Sequence, residues 1–379
     1  MQSSPSPLSD TRSASGRIYW MDAVRALCVI LVTVNHAMNR SILLDSDAIS
    51  RPGLSGFLVS LLYISTHLSI PMFLMLSGAL LLDRDYGSAE VRSRFYRHNW
   101  LRLLIAALIW LTIRFLVIYL ELEGYATQPL RKTILDYLQR ILLLDRFNMG
   151  PMWYLAMILC LYPLIPLLAA AIKRLPGRAF LLPGAVVLCF SILVPNLLTL
   201  LKGLGMQRKL YLAVLPEYLY SYYLLYLVWG HYAAKGLPFK VSTPLLCAVF
   251  GATVLGTAFF QQWSFGAVNG YMVRNADLGI VLGAVCLFEL LRRLAQRPRL
   301  PGPAVRSLAR HSLGIFFVHN IIMHILAHFQ QQHLPGFTGL GCFVLMEAAG
   351  LLGGWLFVWL TAKIPFVSKY LYLTPKPRP

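Results

Sequence analysis

The sequence predicts an all-α, polytopic integral membrane protein with about ten transmembrane helices, and three observations lead there. Of the 379 residues, 58% are hydrophobic and only 13% charged, with a mean hydropathy of +0.63. Apolar runs near twenty residues recur along the chain, and about 20 residues rising 1.5 Å each span a hydrocarbon core of ~30 Å. Short segments rich in Lys and Arg separate the runs, as orientation signals do. The length alone would suggest two or three soluble domains, but the recurrent spans override that prior, and a single membrane domain over 17–364 is simpler. A formal net charge of +19 could serve nucleic-acid binding. The basic residues cluster in short loops instead, so no nucleic-acid partner is expected.

Residues 1–16, rich in Ser and Pro, read as a disordered tail, and 365–379 as a second tail. No cleavable signal is evident, because the first apolar run begins after Arg17 and lacks a small-residue cleavage site. The spans fall at about 20–38, 54–82, 100–120, 152–172, 179–200, 214–234, 243–262, 277–294, 311–329 and 340–362. The second is long and bends or tilts at Pro71; the eighth is short. An even number puts both termini on one side. The alternate segments beginning with the N-terminal tail hold 22 of the 34 Lys and Arg, the opposite set holds 10, and Arg25 and Arg114 lie within spans. That excess places both termini in the cytoplasm.

The first span, Arg17 to Asn39, carries Asp22, Arg25 and His36 into apolar surroundings. Eleven residues from Arg25 to His36 cover roughly 16 Å and about three turns, so both side chains point to one side of a helix. Asp22 lies one turn before Arg25 and can pair with it. Either these residues anchor the helix ends at the headgroups or they form a functional set. The outer loop 127–149 alternates Ile134, Leu135, Leu138, Ile141 and Leu142 with Arg131, Lys132, Asp136 and Arg140, the pattern of an interfacial amphipathic helix. It either shields a site or rests on lipid. No internal repeat is visible, which weakens an inverted-repeat transporter reading.

Between Arg84 and Arg102 the chain places five arginines, Arg92, Arg94, Arg97 and Arg102 among them, denser than orientation requires. Arg94, Arg97 and His98 share a helical face, and guanidinium forks match phosphate oxygens; a phosphate-bearing ligand and simple anchoring are the alternatives. Gly150 to Leu155, with Trp153, opens the fourth span. The sixth carries Tyr218, Tyr220, Tyr222, Tyr223, Tyr226, Trp229, His231 and Tyr232, more aromatic side chains than an interface belt explains. Their polar groups serve either a ligand or other helices. In the ninth span Ser312, His319 and Met323 lie on one side with His319 near mid-membrane, a functional position by default and otherwise a structural hydrogen bond. His324 and His328, spaced i, i+4, have no third ligand, so no metal is expected. Six cysteines sit singly in apolar runs and read as inert core residues.

These pieces together resemble the acyltransferase 3 family of bacterial membrane O-acyltransferases. The matching signals are Asp22-x-x-Arg25 with Arg25-x10-His36, Phe73 to Gly78 with Ser77, the arginine run Arg92 to Arg102, Met152 to Leu155, and Ser312 to His319. The similarity runs from about Arg17 to Ile364. Ala26 stands where the family usually has Gly, and Ala79 where it has an aromatic residue; no soluble esterase-like domain is appended. The resemblance implies transfer of an acyl group, commonly acetyl from cytoplasmic acetyl-CoA, to a sugar hydroxyl of an envelope glycan or lipid-linked sugar in the bacterial inner membrane. It implies His36 as general base, Arg25 with Asp22 at the thioester, Arg92, Arg94, Arg97 and Arg102 on the CoA phosphates, and Ser77, Trp153 and His319 near substrate, where the aromatic density of the sixth span adds Tyr222. A succinyl or longer-chain transferase, and a glycan transporter or flippase, are the competing readings.

Overall fold

The computed structural model describes residues 19–41, 53–122, 127–144, 150–204, 222–236, 241–267, 272–294 and 302–374. The N-terminal tail, Tyr218 and Tyr220 lie outside them. The described residues form helices and no strand, because apolar segments can satisfy their backbone groups internally only in that way or in a closed barrel. In chain order the elements are α1 (Tyr19–Arg40), α2 (Leu54–Leu81), α3 (Ala89–Tyr119), α4 (Leu130–Ile141), α5 (Gly150–Arg174), α6 (Gly177–Gly203), α7 (Tyr223–Ala234), α8 (Thr243–Ala267), α9 (Leu278–Leu294), α10 (Pro303–His333), α11 (Gly339–Thr361) and α12 (Val367–Leu371). Eight of them are long and apolar enough to cross a membrane. The difference from ten arises at α9, which has 17 residues, and at α7, of which 12 are described.

The break in α2 falls at Leu68, between helical stretches ending at His67 and starting at Ser69. Pro71 has no N–H to offer the carbonyl of His67, four residues earlier, so the ladder is interrupted just ahead of the proline. At the start of α3, the Ser88 side chain accepts from the Val91 N–H at 3.2 Å, and Glu90 in the first turn suits the positive end of the helix dipole. The predicted amphipathic helix forms as α4; Leu130, Ile134, Leu135 and Leu138 are exposed while Arg140 is buried.

The chain divides into two compact units. One holds α1 to Asn39, α2 and α6–α9; the other holds α3, most of α5, α10 beyond Ala309, α11, α12, α4 and Arg40. In the first unit α2 and α7 meet backbone to backbone: a Cβ on Gly78 would collide with the Leu227 carbonyl, and one on Gly230 with that of Met75. Such approaches replace, in lipid, the hydrophobic drive that water supplies to soluble helices. Trp20 of α1 meets Phe288 of α9 edge to face at 5.4 Å.

At the end of α9, Glu289 is fully buried and accepts from Arg292 at 2.7 and 2.8 Å and from Arg293 at 2.6 Å. Arg293 also reaches the Val241 carbonyl at 2.8 Å, fastening the start of α8. Two arginines that read in the sequence as orientation signals thus also hold the unit together. Glu289→Ala is expected to destabilise by about 3 kcal/mol, because it leaves two partly buried cations facing each other without a carboxylate. A thermal melt of the purified protein in detergent measures it, and an unchanged midpoint would remove Glu289 from the structural account.

In the second unit Trp110 of α3 stacks on Phe317 of α10 at 5.4 Å and donates from its indole N–H to the Leu371 carbonyl at 3.1 Å. Tyr372 is buried beside it. The segment read from sequence as the beginning of a tail therefore packs as α12 against α3, and Trp110 and Tyr372 give the reason: apolar rings leave water together. Of the six cysteines, all free, Cys28, Cys286 and Cys342 are buried as expected, whereas Cys160 and Cys247 are exposed on helix surfaces rather than in the core.

Candidate functional site

The first helix positions its polar residues as the spacing predicts. α1 is continuous, so Arg25 and His36 share a side, and both are half-buried while Asp22 is buried. Asp22 Oδ1 lies 3.5 Å from Arg25 Nη1. A buried carboxylate one turn away fixes the guanidinium's direction and lowers the penalty for holding it there. Five residues before Arg40, Asn35 donates from its amide to Thr66 Oγ1 at 2.8 Å, and Thr66 passes a hydrogen bond to the Tyr63 carbonyl at 2.6 Å. His67 Nδ1 is 3.1 Å from that same carbonyl. This chain ties the His36 end of α1 to the break in α2.

Ser77 donates to the Phe73 carbonyl at 3.1 Å in its own helix. The neighbouring Gly78 explains part of that motif as packing, since it is the contact with α7 described above. Tyr222, at the head of α7, has its ring 4.2 Å from that of Tyr223 and 6.4 Å from that of Tyr226. Tyr226 donates to the Asn275 carbonyl at 2.7 Å, so one tyrosine of the group holds a neighbouring segment. Beyond the end of α2, Asp83 meets Lys235 at 2.8 Å. The ammonium hydrogen-bonded to it holds the Asp83 carboxyl below the usual carboxylate range, so this link contributes at neutral pH and fades as pH falls through the acid range.

In the second unit the arginine run is spread over several tasks. Arg92 donates to the Tyr86 and Gly87 carbonyls at 2.9 and 2.7 Å, bracing the turn before α3. Arg94 pairs with Glu90 at 2.7 Å on the exposed surface. Arg97 and His98 are exposed and Arg102 is half-buried. The segment Tyr96–Trp100 is a π-helical turn, so the face these residues share is rotated from the simple α-helical expectation. Tyr96 and Trp100 fasten that turn to α5 through the Pro163 and Leu159 carbonyls, at 3.2 and 2.8 Å. The α12 segment adds a lysine that the sequence reading did not connect to the run: Lys369, hydrogen-bonded to the half-buried Tyr370, lowers that phenol's pKa, with Arg102 contributing to the same effect.

His319 is fully buried on α10, its Nδ1 2.9 Å from the Ile315 carbonyl and its ring 6.0 Å from that of Phe316. Gly354 of α11 lies against its backbone. Trp153 is 37% exposed and meets Tyr154 edge to face, while Tyr154 is buried on Phe316. The buried aromatic of that motif is thus the tyrosine. His324 has Arg40 Nη2 2.7 Å from its Nδ1, and His328 meets Gln332 at 2.8 Å; among the described residues no group of three metal-type side chains assembles. Sequence reasoning left Arg114 unassigned, although a charged residue inside a span was the signal that could have found it.

A family model described as an acyltransferase domain, acyltransferase 3, matches residues 18–367. No curated protein and no solved structure matches the chain.

Proposed function

Because this chain belongs to the acyltransferase 3 family and is a membrane acyltransferase, we propose that it moves an acetyl group from acetyl-CoA to a sugar hydroxyl of a cell-envelope glycan or lipid-linked sugar. The observation that carries this reading is α1 itself. One unbroken helix holds a carboxylate-oriented guanidinium and an imidazole on a single side, about three turns apart. The site lies in the bacterial cytoplasmic membrane, with both termini in the cytoplasm according to the excess of basic residues in alternate loops.

In this reading His36 takes the proton from the acceptor hydroxyl as its oxygen attacks the thioester carbonyl. The carbon–sulfur bond then breaks, the acetyl group stays on the sugar oxygen, and CoA leaves as a thiol after recovering the proton. Arg25, steered by Asp22, orients the thioester end, and Arg92, Arg94, Arg97 and Arg102 receive the phosphates of the donor. Ser77, Trp153, Tyr222 and His319 serve substrate.

The test is a vesicle assay containing only this protein, radiolabelled acetyl-CoA and envelope glycan. Label appearing covalently on the glycan supports the reading; movement of unmodified glycan without label would favour a transporter, and a faster reaction with succinyl-CoA would shift the donor. Arg97→Ala is expected to weaken CoA binding by about tenfold, the worth of one charged hydrogen bond, with little effect on acceptor use. Arg94→Ala should do the same to a lesser degree, because Glu90 already engages that side chain. Titration calorimetry with CoA checks both, and unchanged donor affinity would count against the arginine run.

A further inference from the structure

The acyl-transfer reading makes no use of Arg114. It lies inside α3 with no acidic residue one helical turn away on either side and is only 5% exposed. Nη1 donates to Asn320 Oδ1 on α10, Nε has no acceptor, and the cation faces the Tyr119 ring at 5.8 Å. Its bonded partners are therefore an amide oxygen and a π face, neither of which carries charge. A guanidinium does not shed its proton to escape burial, as a lysine can, so the uncompensated charge stays.

More positive charge gathers around the same stretch of α10. Arg140, also 5% exposed, lies 3.4 Å from the centre of the same Tyr119 ring. Arg40 is 2.7 Å from His324, one turn beyond Asn320. The backbone leaves room for the central cation. Gly150 has φ +53°, and a Cβ there would stand 2.6 Å from Arg114 Nη2, so a side chain would be strained by its conformation and would strike the guanidinium.

We propose that Arg114, with Arg40, Arg140 and Asn320 around it, forms a binding site for the oxyanion of a phosphate group. The guanidinium fork matches phosphate oxygens bidentately, and the Arg114 Nε, which has no acceptor, leaves part of that fork open to them. The Asn320 amide N–H is available as a neutral donor beside the fork. The phosphate comes either from solution or from an isoprenoid or other lipid, and the two sources share the chemistry that Arg114 recognises.

The experiment uses the full chain purified in an uncharged maltoside detergent, with binding read as the shift in thermal midpoint and checked by native mass spectrometry. The probes are inorganic phosphate, geranyl phosphate and, as the uncharged control, geraniol. Geranyl phosphate is expected to raise the midpoint and geraniol not to. A matching rise with inorganic phosphate identifies a soluble source, and a rise with geranyl phosphate alone identifies a lipid one; either supports the site. Arg114→Gln should weaken binding by about ten- to a hundredfold.

Because that variant can lose structure, Asn320→Asp is the second arm. It hands Arg114 an internal carboxylate, so the protein should remain at least as stable while its response to the phosphate probe disappears. An unshifted wild-type midpoint with every probe, an equal response to geraniol, or an Asn320→Asp protein that responds like wild type overturns the proposal. The readout is binding rather than turnover, so His36→Ala protein should respond like wild type, and failure of acyl transfer would leave this result standing.

Discussion

Replacing His36 with Ala is expected to lower acyl transfer by about 10²- to 10⁴-fold, the usual worth of a general base, while the protein continues to fold. Burial along α1 explains why the two outcomes separate. Trp20, Val24, Cys28, Val29 and Val32 are buried along the helix, whereas His36, near its C-terminal end, is only half-buried, so most of the packing of α1 does not depend on the imidazole. The measurement pairs initial rates from labelled acetyl-CoA with a thermal melt of the same preparation. Wild-type turnover by His36→Ala would remove His36 as the base. A lost melt together with lost turnover would instead give it a structural role.

The largest effect on the fold is expected from Gly230→Leu. The Gly230 position faces the Met75 carbonyl and the reciprocal Gly78 faces that of Leu227, so a side chain at either site meets main chain, which cannot rotate aside as a flexible side chain would. Overpacking ordinarily costs about 1–3 kcal/mol, and more when the surroundings are rigid. The variant is therefore expected to lose most of its monodisperse peak in size-exclusion chromatography from detergent. Gly256→Leu on α8 supplies the control: nothing lies within 4 Å of a Cβ there, and its elution and melting should match wild type. If Gly230→Leu behaves like Gly256→Leu, the close α2–α7 approach does not govern stability.

Both experiments rest on features that differ in how far the sequence disclosed them. The Asp22, Arg25 and His36 arrangement was legible because it is local. A helix repeats every 3.6 residues, so spacing along one helix fixes which side chains share a side. The amphipathic α4 was legible for the same reason, and the break in α2 nearly so, since Pro71 acts on a carbonyl four residues before it. Gly78 stood inside a recognised motif, yet its contact with Leu227 was not, because nothing in the order of residues says which helix will approach another.

The arginines show the same division. Arg92, Arg94, Arg97 and Arg102 formed a visible cluster, but only coordinates assign Arg92 to the carbonyls of Tyr86 and Gly87 and Arg94 to Glu90. Arg114 was visible as a charge within a span, while its link to Asn320 crosses 206 positions of sequence. The role of Gly150 beside it depends on a positive φ and on a guanidinium from another helix.

By itself, then, the sequence determined the helical class, the recurrence of membrane-length segments and the one-sided display of Arg25 and His36. All of these follow from composition and from the helical repeat, which act over a few turns. Tertiary structure alone decided that α2 and α7 touch through glycines, that α12 packs on Trp110, and that Arg114 is buried against Asn320 of α10. Those contacts depend on which helices become neighbours, and apolar helix surfaces of similar composition do not encode that locally.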